Sequence, residues 1–303
     1  MRNNIISIFI FLVTFSYSQE KDTTIIFKKR VLESTEVDFL LSYYKQDGLH
    51  SSVSGGIGSE YLTDFASNII VSMAEYANIK NVNLCWIGTR EIPYSYSELA
   101  TPAVDNHMIA AYKKGEEYIF LDATDRETRY GLPTSFIQGK EALINNGKDF
   151  KIIKVPVVTA TENQVNDRVK LQIKNNKLIG NGKIEFNGFN RSMTLMQIGD
   201  ASGKTRFEMI KSLVLKGNNK FNLNSYTEEN IGNRDLPYNV NYDFELDNYI
   251  IQVDKELFIN PYLHKIFEKN PIQKDRITGY DFEIVSFFNS EYEFEIPANY
   301  KLK

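Results

Sequence analysis

The chain has 303 residues, 42% of them hydrophobic, with 35 basic and 39 acidic side chains and a formal net charge of −4. That length accommodates about two domains, each large enough to bury a core. The charges are interleaved without a basic stripe, which excludes nucleic acid as the expected partner. The single cysteine, Cys85, excludes an internal disulfide, so stability must come from packing. With 18 Tyr and 20 Phe, the aromatic content favours β-structure.

The opening stretch, MRNNIISIFIFLVTFSYSQE, has one basic residue, Arg2, and then an apolar run from Ile5 to Phe15. That run is short for a membrane span. Ser16 and Ser18 are small residues placed for cleavage before Gln19. Residues 1–18 therefore read as a secretory signal peptide, and the mature protein as exported, periplasmic or extracellular, with no membrane span after removal of the signal. Residues 19–50 form a lead-in segment. LHSSVSGGIGSE, Leu49 to Glu60, is a Ser/Gly-rich loop. Its GGIG lacks the Lys-Ser/Thr of a phosphate loop.

A helix follows over residues 62–77, where Leu62, Phe65, Ala66, Ile69, Ile70, Met73 and Ala77 recur at the spacing of one buried face. VNLCWIG (82–88) reads as a buried strand. HMIAAYK and EYIFLD pair as a β-hairpin around KKGE. YGLPTSFIQGKEALI reads as loop with a short helix. Near Val155 the texture changes: VPVVTATENQVND is a linker, and short alternating runs follow it. The last, EYEFEIP, sets Tyr292, Phe294 and Ile296 on one face and Glu291, Glu293 and Glu295 on the other. The expected domains are residues 51–150 and a β-sandwich-like, antiparallel domain over 151–303 carrying one or two helices near SMTLMQIGDASGKTRFEMIKSLVLKG. The run to Lys303 shows no closing element, as in a piece of a longer architecture.

The chemistry concentrates in DNHMIAAYKKGEEYIFLDATD. Of the three histidines, His50 lies in the Ser/Gly loop and His264 in an expected exposed helix, NPYLHKIFEKN. His107 opens one strand of the hairpin and Asp122 closes the other. Strands about 4.8 Å apart bring such side chains within hydrogen-bond reach, within one residue pair of register. This is how a carboxylate orients a histidine in nucleophilic catalysis. The spacing equally fits a strand-end His and a turn-forming Asp. Asp122, Asp125 and Glu127 form a small acidic cluster that matches no calcium loop and reads as a solvated turn, so no metal or other cofactor is expected.

Asn106-His107-Met108-Ile109 and Leu121-Asp122-Ala123-Thr124-Asp125 resemble the hairpin of the transglutaminase-like core, related to papain-like cysteine proteases. The match is to exported bacterial proteins in which that core is flanked by β-rich modules. Residues 55–135 resemble the core and roughly 160–303 the second β-rich module, notably in LQIKNNKLIGNGKIEFNGF. The resemblance implies an α+β, papain-like core with an antiparallel sheet. It also implies a catalytic Cys at the start of the core helix, in a phrase like GDCKDKANLL. Aligned on Asn68-Ile69-Ile70, that position holds Thr63, with Leu62 and Phe65 in place of the flanking acids.

The expected nucleophile is thus missing while the retained dyad, His107 and Asp122, stands. A thiolate at Cys85 conflicts with its apolar neighbours. Thr63 and Ser59 suit capping or first-turn hydrogen bonds better than attack. The reading that follows is a pseudoenzyme: a binding or scaffolding protein of the cell envelope whose ligand is a protein, peptide or glycan. The alternative is an active peptidase or acyltransferase using Thr63, Ser59 or Cys85 with His107 and Asp122.

Overall fold

A computed structural model of the protein describes residues 6–10, 28–32, 58–264, 275–279 and 282–302. Strand exceeds helix, 38% against 17%, with three α-helices and several antiparallel sheets among the described residues. The fold is β-rich, and this corrects the expected α+β, papain-like core. Two compact units divide the chain: Met1–Arg126 with Phe136–Pro156, and Glu127–Ser135 with Val157–Lys303.

In the first unit, β1 (Ile6–Ile10) and β2 (Lys28–Leu32) form an antiparallel pair. Helix α1 (Gly58–Tyr76) ends at Asn78, whose φ of 57° turns the chain in the left-handed region that Asn tolerates. Among its described side chains, from Ala66 on, the buried ones are Ser67 and Ala74, each one residue from an expected inward position, and Met73 is exposed. The main sheet comprises β3 (Val82–Ile87), β4 (His107–Lys114), β5 (Glu117–Leu121), β6 (Glu141–Asn146) and β7 (Asp149–Lys154). Its order is β5-β4-β3-β6-β7, antiparallel throughout. The β4–β5 hairpin turns through two residues, Gly115 and Glu116, with Gly115 at φ 65°. The stretch read as loop with a short helix holds a single 3-10 turn, Ser135–Ile137, and its last residues, EALI, begin β6, with Ala142 and Ile144 paired onto β3.

Period-2 alternation puts Cys85, Ile87, Ile109, Ala111, Phe120, Ala142 and Ile144 in one buried cluster, closed by Ile137 and Val155. Helix α1 packs against β3 and β4 of the same sheet.

The second unit is built on β8 (Gln164–Lys174), β9 (Lys177–Phe186), β10 (Phe221–Glu229), β11 (Tyr238–Leu246) and β14 (Phe287–Glu295), in the order β10-β11-β9-β8-β14. A separate ribbon joins β12 (Ile251–Val253) and β13 (Glu256–Phe258). β8 and β9 turn through Asn175 and Asn176, both at positive φ, as a two-residue hairpin loop requires. The pairs are antiparallel except β14, which runs parallel to β8. The expected β-sandwich is corrected as well. One five-stranded sheet, not two packed sheets, carries the core, and α2 (Gly188–Ile198) and α3 (Gly203–Leu213) supply Leu195, Ile198 and Ile210 to it.

Two strand glycines make this core possible. A Cβ at Gly180 would collide with the ring of Phe244, and one at Gly182 with Tyr242. The Tyr242 ring thereby crosses β9 and donates to Asp167 on β8 at 2.6 Å. Lys216 donates to the same carboxylate at 2.5 Å, and both charged side chains are nearly fully buried, at 1% and 2% exposure. Arg191 of α2 is buried too. It donates to the carbonyls of Leu236, Ile231 and Asn233 and so holds the turn between β10 and β11.

Candidate functional site

His107 is fixed from both sides of the chain. Just before it, Asn106 clips the long β3–β4 loop: its Oδ1 accepts from the Thr89 N–H at 2.9 Å and its Nδ2 donates to the Thr89 hydroxyl at 3.0 Å. Just after it, the Met108 carbonyl accepts from the Ser67 hydroxyl of α1 at 2.7 Å. The His107 ring meets Phe136 edge-on, with centroids 5.1 Å apart.

Nε2 of His107 lies 2.7 Å from Oδ2 of Asp122, and the two side chains are 5% and 3% exposed. The hydrogen bond expected across the hairpin is present, but not the register. Leu121 pairs with Ala110, so extending the ladder one step sets Asp122 opposite Ile109, two residues from His107. The pair is diagonal. Side chains two apart share a face, and a diagonal neighbour is within reach of a His–Asp pair.

The other oxygen of Asp122 is engaged in a local turn, accepting from the N–H of Thr124 at 3.0 Å and from its hydroxyl at 2.6 Å. Burial alone would raise the Asp122 carboxyl, but the hydrogen bonds and charge of His107, with those of Thr124, hold it below the usual carboxylate range. A carboxylate facing Nε2 needs a donor, so the neutral imidazole carries its proton there. Nδ1 is left as an acceptor, with no hydrogen-bond partner among the described residues.

The nucleophile candidates fare differently. Cys85 is fully buried, at 0% exposure. It pairs with Ile109, while Ile87 pairs with His107. Burial, and then the Asp105 carboxylate, push its thiol far above the ordinary cysteine value. The charge that reaches Cys85 is therefore an anion, the reverse of the imidazolium that would activate it. Asp105 itself is raised by burial, against the hydrogen bond from Tyr96 and the charge of Lys140. Thr63 lies inside α1, which begins at Gly58, rather than at the helix start. The help a helix N-terminus gives an anion fades within one turn. The side chains of Thr63 and Ser59 lie outside the described residues, as does His50.

His264 is half-buried and irregular in backbone, not on an exposed helix, and burial lowers its pKa. Among the described residues no group of three or more His, Cys, Asp or Glu side chains stands together as a metal site. No described helix is long and apolar enough to cross a membrane. Sequence reasoning missed Thr124, the Asn106–Thr89 clip, Phe136 and the Tyr96–Asp105 pair. Only the first carried a local signal, the Asp-Ala-Thr of an Asx-turn.

No protein family, curated protein or solved structure matches the chain.

Proposed function

We propose that this chain is an exported binding or scaffolding protein of the cell envelope, carrying the remnant of a transglutaminase-like site without a working nucleophile. The observation that carries the reading is the state of Cys85. The one thiol is sealed in the first unit's core beside a carboxylate, so its anion is disfavoured twice. Without a thiolate at Cys85, His107 and Asp122 have no thiol nucleophile to serve. The resemblance that supports the reading is one of motif, Asn106-His107 and Leu121-Asp122, and not of architecture. In a binding role, Nδ1 of His107 offers a single oriented acceptor to a protein, peptide or glycan donor. The reading of residues 1–18 as an export signal supports an encounter in the periplasm or outside the cell.

The test is alkylation. The folded protein treated with iodoacetamide at neutral pH should label far more slowly than a free thiol, and quickly once denatured. Rapid labelling of the folded protein that disappears in His107→Ala would overturn the proposal, because it would show Cys85 activated by that base.

A further inference from the structure

The second unit contains a crevice of about 770 Å³ between α3, the end of α2 and the inner face of the sheet. Its floor is apolar and belongs to the buried core: Val165, Ile184, Phe186 and Ile198. Its walls mix polar side chains, among them Thr194, Gln197 and Lys204, with the apolar Met209, Leu213 and Phe288. The groove opens to solvent, with Thr205, Glu208 and Ser212 exposed along it, so its apolar floor is within reach of a ligand. Its size falls in the range of small-molecule sites.

The shape is elongated. Lys204, Thr205, Glu208, Met209, Ser212 and Leu213 line it, the residues of one face of α3. At 1.5 Å per residue that face runs roughly 14 Å, the span of about twelve carbons of an extended acyl chain. The two ends differ in charge. Lys204 sits in the first turn of α3, whose cap residue Ser202 makes no side-chain bond to the turn, and Lys204 joins no ion pair among the described residues. The helix N-terminus adds positive potential at that same end. Glu208, one turn on, opposes an anion deeper in the groove, and Leu213 and His264 line its far end.

We propose that this crevice binds an amphiphile with one extended apolar chain and an anionic head, the chain lying on Val165, Ile184, Phe186 and Ile198 and the head meeting Lys204. The site lies wholly in the second unit. It does not depend on the reading of His107 and Asp122, and either can fail alone.

The test is a titration of the full-length protein with a naturally fluorescent polyene fatty acid, followed by displacement with palmitate. Saturable binding at one site is expected. Ser212→Trp and Thr194→Trp each place an indole in the groove from a residue outside the buried cluster, so the fold is retained, as thermal melts check. Each should weaken binding by about ten-fold or more, the scale of losing several buried methylenes. Lys204→Glu should weaken the acid and leave the alcohol of equal chain length unaffected. Absence of saturable binding, unchanged affinity in the indole variants, or equal affinity of wild type for acid and alcohol would each overturn the proposal.

Discussion

Asp122→Ala separates a dyad kept as structure from one kept for chemistry. The variant removes the acceptor contacts to His107 Nε2 at 2.7 Å and to the N–H and hydroxyl of Thr124. Thr124 is exposed, so water replaces its two bonds at little cost. The His107 ring is 5% exposed and cannot be rescued that way. A hydrogen bond to a charged group contributes about 1.5–3 kcal/mol, and orphaning one member of a buried pair costs up to about 3–5. The expected loss at neutral pH is about 2–4 kcal/mol. Because the folded-state pKa of Asp122 is depressed, this contribution is present above the unfolded carboxyl value, about 3.9. It is lost as pH falls through the lower folded value, so wild type and variant converge in acid. Trp86 is the chain's only tryptophan and pairs with Met108, beside His107. Urea unfolding followed by its fluorescence therefore reads the first unit selectively. A loss below about 0.5 kcal/mol, or a gain in stability, would refute the structural account, since residues held for activity are commonly kept at a cost in stability.

Gly182→Ala puts a methyl into the Tyr242 ring and displaces its bond to Asp167, so the second unit should lose about 2–4 kcal/mol by calorimetry; a neutral result would show that the ring does not cross β9 there. Arg191→Ala removes the cation that holds the carbonyls of Ile231, Asn233 and Leu236, and limited proteolysis should then cut near residues 230–237 while the wild type resists. Arg191→Lys should rescue only in part, because an ammonium cannot span the same carbonyls. N-terminal sequencing of envelope-derived protein should find Gln19 at or near the start, which would remove β1 from the mature chain; retained Met1 in a membrane-bound form would count against export by a cleaved signal.

What the sequence determined by itself was local. The hairpin around Gly115, the helix before Cys85 and the alternation of Tyr292 and Phe294 follow from periods of 2 and 3.6 that neighbouring residues encode. The His107–Asp122 pair was legible because a hairpin with a fixed turn leaves few registers, although its diagonal geometry was not. Tertiary structure decided whatever depends on partners far along the chain. β6 became a strand because Ala142 and Ile144 found Ile87 and Cys85, over fifty residues earlier, where the local sequence read as loop with a short helix. β14 lies parallel to β8 across more than a hundred residues, which alternation alone cannot specify. The same holds for charge. The loop that brings Asp105 to Cys85, and the glycine slot that lets Tyr242 reach Asp167, set the electrostatics of buried groups by desolvation and proximity. Those two quantities exist only once the chain is packed.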